Sequence, residues 1–375
     1  MMNYIALKDV CTINMGQSPE SSSYNEIGDG IPFFQGNADF GERYPITRVW
    51  CNKPTKVAKA EDILISVRAP IGAMNYAKEK CCIGRGVAAL TPNEEKVSSE
   101  FIFWLLKGKN NELNQKGTGS TFKAIGRKVL EEIQVPEINL ELQRKYASNL
   151  ERIYSIIQDR QRQLEQLDKL VRARFVEMFG DPRSNPFGFP KSMLKDTCKV
   201  VTGNTPPRAA QEYYGDYVEW IKTDNIVPEM INPTKATESL SEEGIKVGRT
   251  VGKNSILMAC IAGSIASIGK VCVTDRTVAF NQQINAVISK EYNILFLYVM
   301  LQLSKDYLVE EINMSLKGIL SKSKLEEKEF IVPPIDLQEQ FAEFVEQVDK
   351  SKDSVKKALD EAQLLFDSLM QQYFG

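Results

Sequence analysis

The sequence contains no histidine among its 375 residues. That absence excludes Ser-His-Asp and Cys-His catalysis, His-containing zinc sites and facial-triad iron sites. Cysteine is sparse and poorly spaced: Cys11, Cys51, Cys81, Cys82, Cys198, Cys260 and Cys272 make an odd set, two of them adjacent, with no C-x-x-C pair. Such a set argues against a disulfide framework and a zinc ribbon, and for reduced thiols in a cytoplasm. Long apolar runs are missing too. The longest, 294–303 with one Gln, is about half of a membrane span, and the start MMNYIALKDV has no signal-peptide core. The expectation is a soluble cytoplasmic protein that makes no use of a membrane. Neither sign of charge dominates, since 47 Lys and Arg face 49 Asp and Glu, so composition alone announces no nucleic-acid partner. What is left is an ordinary globular composition, long enough for two domains with a core each.

What the sequence does have is a repeat. LKDVC at 7–11 returns as LKDTC at 194–198, and the same offset of 187 carries Gly16 onto Gly203 and Ser18-Pro19 onto Thr205-Pro206. PFFQGN at 32–37 falls over EWIKTD at 219–224, ILIS at 63–66 over ILMA at 256–259, and IGRGVAAL at 83–90 over FNQQINAV at 280–287. VPEI at 135–138 answers VPPI at 332–335, LQRKYA at 142–147 answers LQEQFA at 337–342, and FG at 179–180 answers FG at 374–375. Offsets drift only from 187 to 197 and the order never breaks, so the chain is one unit written twice.

Each copy has two parts. The first, 1–138 or 181–335, is rich in Gly, Pro and short β-branched runs. DILISV (62–67), YVEWI (217–221), SILMACI (255–261) and GKVCV (269–273) read as strands, and 99–107 and 294–304 as helices. The fold class is α+β, with two pseudo-repeated globular domains. The second part, 139–180 or 336–375, has no Gly or Pro from 140 to 179 or from 336 to 374. Two rows seven apart run along it: Tyr146, Ile153, Arg160, Leu167 and Arg174 beside Leu150, Ile157, Leu164, Val171 and Met178. The second copy gives Phe341, Val348, Val355, Ala362 and Leu369 beside Val345, Lys352, Leu359, Phe366 and Tyr373. Such rows describe a coiled-coil seam, and forty residues make a helix of roughly 60 Å. The spacing predicts that the two helices pair antiparallel as a spacer between the domains, with Arg160 and Lys352 interrupting the seam. The plainer alternative is two amphipathic helices, each packed on its own domain.

Catalytic motifs fail in context. GRGVAA at 84–89 has the letters of a dinucleotide fingerprint, but Thr91-Pro92 follows where a helix must continue. GSIASIGKV at 263–271 has the wrong spacing for a P-loop and ends in Val271 where Ser or Thr must hold magnesium. The Pro-Pro pairs of NTPPR (204–208) and VPPID (332–336) lack the aromatic of a DNA amino-methyltransferase, and Glu326-Glu327-Lys328 lacks a preceding metal Asp. No enzyme, metal or cofactor is expected. Two unequal domains at the ends of a spacer suit the reading of two different half-sites at a set separation, because DNA repeats its groove faces about every 34 Å.

The whole chain resembles the specificity (S) subunit of type I restriction–modification systems. The stretches that carry the resemblance are VPPIDLQEQ at 332–340, VPEINLELQ at 135–143 and FVEMFGDP at 175–182, although the first junction has Pro136-Glu137 in place of the family's Pro-Pro. The resemblance implies a non-catalytic subunit whose two target-recognition domains select a bipartite double-stranded DNA site. It also implies partners: two modification subunits that methylate adenine with S-adenosylmethionine, and a restriction subunit that can join them.

Base readout favours polar and basic side chains on exposed loops. In the first domain these are Gln35, Asn37, Arg68, Arg85, Ser120, Thr121 and Lys123. In the second they are Lys222, Asp224, Asn225, Gln282, Gln283, Lys317 and Lys322. The seam is expected at Tyr146, Leu150, Ile153, Ile157, Leu164, Leu167 and Val171, and at Phe341, Val345, Val348, Val355, Leu359, Phe366 and Leu369. Partner docking is expected at the junctions, through Leu142, Gln143, Leu337 and Gln338. Charge by segment is +1 for 1–138, +2 for 139–180, 0 for 181–335 and −5 for 336–375, so the acidity belongs to the last helix. Near-neutral domains predict weak DNA binding by this chain alone. Two other readings stand beside this one: a protein-binding adaptor with two docking heads, and a self-sufficient enzyme with an unfamiliar centre.

Overall fold

The computed structural model describes residues 3–119, 123–228, 230–312 and 318–375. In the first half, short apolar runs between turn residues become two sheets. One is antiparallel, in the order Cys11–Met15, Val87–Pro92, Ile63–Ser66, Met74–Tyr76. The other runs Tyr24–Asn25, Trp50–Cys51, Ile31–Phe34, Cys81–Ile83, Val57–Ala58, with Ile31–Phe34 and Cys81–Ile83 parallel. Ile63–Ser66 and Cys81–Ile83 are buried along their whole length. The second half repeats both sheets in the same order. Cys198–Thr202, Ile284–Ser289, Ile256–Ala259 and Val271–Val273 form the first, and Tyr214–Gly215, Ser239–Leu240, Val218–Ile221, Val278–Phe280 and Thr250–Val251 the second. In these two sheets the duplication read from the sequence is thus a duplication of topology, strand for strand.

GRGVAA lies at the start of the Val87–Pro92 strand, not at a strand-to-helix turn. The helical patterns become Ser99–Gly108 and Ile294–Leu303. All seven cysteines are free and buried, and burial pushes the thiols of Cys11, Cys81, Cys260 and Cys272 up to about 12. They are small core hydrophobes rather than nucleophiles.

The two stretches free of Gly and Pro are helices Leu140–Phe179 and Ile335–Phe374. Asn139 caps the first by accepting from the Leu142 N–H at 2.8 Å, and Gly180, at φ 71°, ends it. All fourteen expected seam residues are buried or half-buried, whereas Ile156, Leu170, Val176 and Leu364, off the seam, are exposed.

The chain divides into two compact units, Met1–Gln161 with Lys357–Gly375, and Arg162–Lys356, so the division passes through both long helices. In the first unit the helix segments run antiparallel, with Tyr146 stacked on Tyr373 at 3.7 Å and Tyr154 beside Phe366 at 6.1 Å. In the second, Phe175 packs on Phe341 at 5.4 Å and Lys352 pairs with Asp168. Within each unit the helix segments also pack on the globular core. Phe374 lies against Phe101 at 5.3 Å, and at the equivalent place Phe179 lies against Phe296 at 4.8 Å. The expected pairing and its plainer alternative therefore coexist, because one helix presents one side to its partner helix and another to the domain. Each such ring, fully buried, contributes roughly 2–3 kcal/mol.

Candidate nucleic-acid interface

At the carboxyl ends of the central strands, several loops are tied together by backbone hydrogen bonds. In the first unit Gly84 N–H donates to Phe34 O (2.8 Å), Val67 N–H to Gly86 O (2.9 Å), Ile125 N–H to Val67 O (2.9 Å) and Ala69 N–H to Lys123 O (3.0 Å). Those bonds bring Gln35, Asn37, Arg68, Arg85 and Lys123 onto one set of neighbouring loops. The Asp39 carboxylate shapes the first of them, accepting from Gln35 N–H at 2.7 Å and Gly36 N–H at 3.3 Å. Gln35, Arg68, Arg85 and Lys123 are exposed, and the three cations make no ion pair among the described residues. Ser120 and Thr121 lie outside the described residues.

The second unit repeats the arrangement. Asn281 N–H donates to Ile221 O (3.0 Å), Cys260 N–H to Gln283 O (2.8 Å) and Leu320 N–H to Cys260 O (2.8 Å), linking the loops at 222–225 and 281–283 to the paired short strands Ile261–Ala262 and Gly318–Ile319. Asp224 and Gln282 are exposed there, and Gln283 is half-buried. Lys322 opens the Lys322–Glu327 helix and pairs with Glu326 at 3.5 Å. Asn225 is buried, and its side chain serves the loop itself, accepting from Lys222 N–H at 2.9 Å and donating to Thr234 Oγ1 at 3.2 Å. It shapes the loop and has no face to offer a base. Lys317 lies outside the described residues.

The repeat also pairs residues that composition alone would not single out. Ser18 Oγ accepts from the Arg85 N–H at 3.3 Å, and its equivalent Thr205 donates to the side chain of Gln282, the equivalent of Arg85. Lys222 does not project freely, as its ammonium binds Glu238, which also accepts from Arg208 at 2.6 Å. Lys222 and Arg208 together hold the Glu238 carboxyl below the usual carboxylate range. Both cations lie over the buried Trp220 ring, at 5.2 and 4.8 Å. Arg208 and Glu238 were not legible because thirty residues separate them and only the fold joins them. At the corresponding place in the first unit, Tyr24, Phe33, Ile31 and Val49 form an apolar cluster.

The expected docking residues fall differently. Gln143 and Gln338 are both 1% exposed. Gln143 Oε1 accepts from Ser98 N–H at 2.9 Å, while its Nε2 donates to Ile138 O at 2.8 Å and Lys96 O at 3.2 Å. Gln338 repeats this with Asn293 N–H at 2.9 Å and Pro333 O at 2.8 Å. These amides lock each long helix to the domain before it and have nothing left to present to a partner. Leu142 and Leu337 remain half-exposed beside them.

Residues 2–167 and 187–363 match the family model described as the type I restriction modification DNA specificity domain. The chain belongs to that family. Its two specificity domains are the DNA-recognition modules of a type I restriction–modification subunit, and they coincide with the two copies of the fold. A putative type I restriction enzyme MjaX specificity subunit of Methanocaldococcus jannaschii is 48% identical over 157 residues, 42% of this chain and 37% of that relative. The MjaIX specificity subunit of the same organism is 24% identical over 91% of this chain and 85% of its own length. The EcoBI specificity subunit of Escherichia coli is 21% identical over 98% and 83%. Among solved structures, the type I S subunit from M. genitalium superposes over 100% of this chain and 96% of its own, with a TM-score of 0.66 at 15% identity. That likeness extends the specificity-domain architecture to the full chain. No helix among the described residues is long and apolar enough to cross a membrane.

Proposed function

We propose that this chain is the non-catalytic, cytoplasmic specificity subunit that reads a bipartite, asymmetric double-stranded DNA site, one half-site per domain. It docks two adenine methyltransferase subunits, and restriction subunits can join them. The observation that carries this reading is one scaffold with unlike loops. Equivalent loop positions hold Gln35 and Lys222, Asn37 and Asp224, Arg85 and Gln282. A shared scaffold delivers both loop sets to the same kind of groove, while different donors and acceptors select different bases, each wrong pair costing roughly 1–3 kcal/mol. Docking falls to exposed parts of the junctions and long helices, Leu142 and Leu337 included, and 139–180 and 336–375 act as spacers.

The test is adenine-methylation mapping in cells that express the modification subunits with this chain or with a variant whose residues 1–138 come from a different specificity subunit. The expected result is methylation at a two-part motif in which the swap changes one part only. An unchanged adenine methylome with and without this chain would overturn the reading, and would favour the adaptor alternative.

A further inference from the structure

The repeat allows a comparison within the molecule at one place where the units diverge. In the first unit, the space between the paired helix segments and the Ser99–Gly108 helix is filled by rings. Trp104 lies 5.3 Å from Tyr154 and 5.6 Å from Phe366. Lys107 reaches over them, its Nζ 3.6 Å from the Tyr154 centroid and 5.0 Å from that of Trp104. An ammonium on ring faces is held by their quadrupoles, so this unit fills the space with its own aromatics and caps it with its own alkylammonium.

The repeat offset of 195 sets Val299 opposite Trp104, Asp349 opposite Tyr154, Val171 opposite Phe366 and Gln302 opposite Lys107. Every replacement is smaller or shorter, and all four line a cavity of about 350 Å³ in the second unit. Val345, Val348, Ile231 and Tyr298 complete its apolar wall. On its polar side, which Glu165, Lys169 and Arg172 also line, Asp168 pairs with Lys352, while Asp349, half-buried, makes no hydrogen bond or ion pair among the described residues. The other charges acting on Asp349 are Asp353, Lys352 and Lys356. A partly desolvated carboxylate without a bonded partner is unfavourable, and a cation at its oxygens relieves that cost.

We propose that this cavity is a binding site for a small organic ammonium ion, an alkyl amine or diamine. Asp349 takes the cationic head, and Val171, Val299, Val345 and Val348 take the alkyl body. Where the first unit lays the Lys107 ammonium over its rings, the second has Gln302, with the Asp349 carboxylate in place of Tyr154 and an open volume beside it. That volume is at the lower end of small-molecule sites, roughly 300–1,000 Å³.

The test uses the full chain with ¹³C-methyl-labelled Ile and Val, titrated with n-pentylammonium chloride and, separately, with n-pentanol. Saturable shifts are expected for the methyls of Val171, Val299, Val345 and Val348, with those of Ile153 and Ile157 in the first unit unmoved. Pentanol should bind at least about tenfold more weakly, and Asp349→Asn should weaken pentylammonium by about tenfold with the rest of the methyl spectrum preserved. Val299→Trp, which restores the filling residue of the first unit, should abolish the shifts. Equal affinity for pentanol, no saturable shift at these methyls, or full affinity in Asp349→Asn would each overturn the proposal.

Discussion

The same residue type serves opposite ends in this chain, and burial decides which. Gln143 looked like a junction residue free to meet a partner, yet it is enclosed and bonded to three backbone groups. Gln143→Ala should therefore cost about 1–3 kcal/mol of stability by leaving those groups without partners, measured by denaturant unfolding. Full stability would mean that water replaces the amide. Arg68, Arg85 and Lys123, by contrast, are exposed and make no ion pair among the described residues. Replacing all three by Ala should flatten the salt dependence of DNA binding in the assembled complex, by about one unit of slope per lost phosphate contact. An unchanged slope in a salt series would place the phosphate grip elsewhere. Sequence showed which residues were polar and in loops, but not which were already engaged: Asn225 and Lys222 find their partners only through the fold.

At the scale of elements, sequence was most informative where a pattern was long or repeated. Two helices of forty residues and their seams follow from heptad rows without Gly or Pro. Short strands such as Tyr24–Asn25 or Val57–Ala58 have too few residues for a period, and exist because a neighbouring strand offers them a ladder. The duplicated glycines show how closely the chain passes its neighbours just after Cys11–Met15 and Cys198–Thr202. A Cβ on Gly16 would stand 2.2 Å from Gly84 O, and one on Gly203 2.1 Å from Asn281 O. Gly203 N–H meanwhile donates to Ile284 O at 2.9 Å. Gly203→Ala should push the 203–205 strand exit off the 281–283 loop, costing about 1–3 kcal/mol. In the methylome it should weaken recognition of one half-site and spare the other. Loss at both would show that the loops do not act by domain.

For the molecule as a whole, the repeat was the feature that made the architecture legible, and the division through the long helices was the feature it concealed. A helix free of Gly and Pro reads as one element, whereas packing assigns its two ends to different cores. The spacer role still yields an expectation: a heptad added to both long helices should change the tolerated gap between half-sites and leave both half-site sequences intact, as read by methylation mapping. Altered half-sites would refute it. The split core also bears on how the protein is made. Phe366, Tyr373 and Phe374 close the first unit's core, yet they are translated after both recognition domains. While the second half is still on the ribosome, the rings of Phe101 and Trp104 lack their last neighbours, so the domain synthesised first is the one completed last. Nascent chains usually finish domains in order of synthesis. Here the unfinished first domain offers chaperones and proteases an apolar surface for the time needed to translate some two hundred further residues, which makes the elongation rate a determinant of yield.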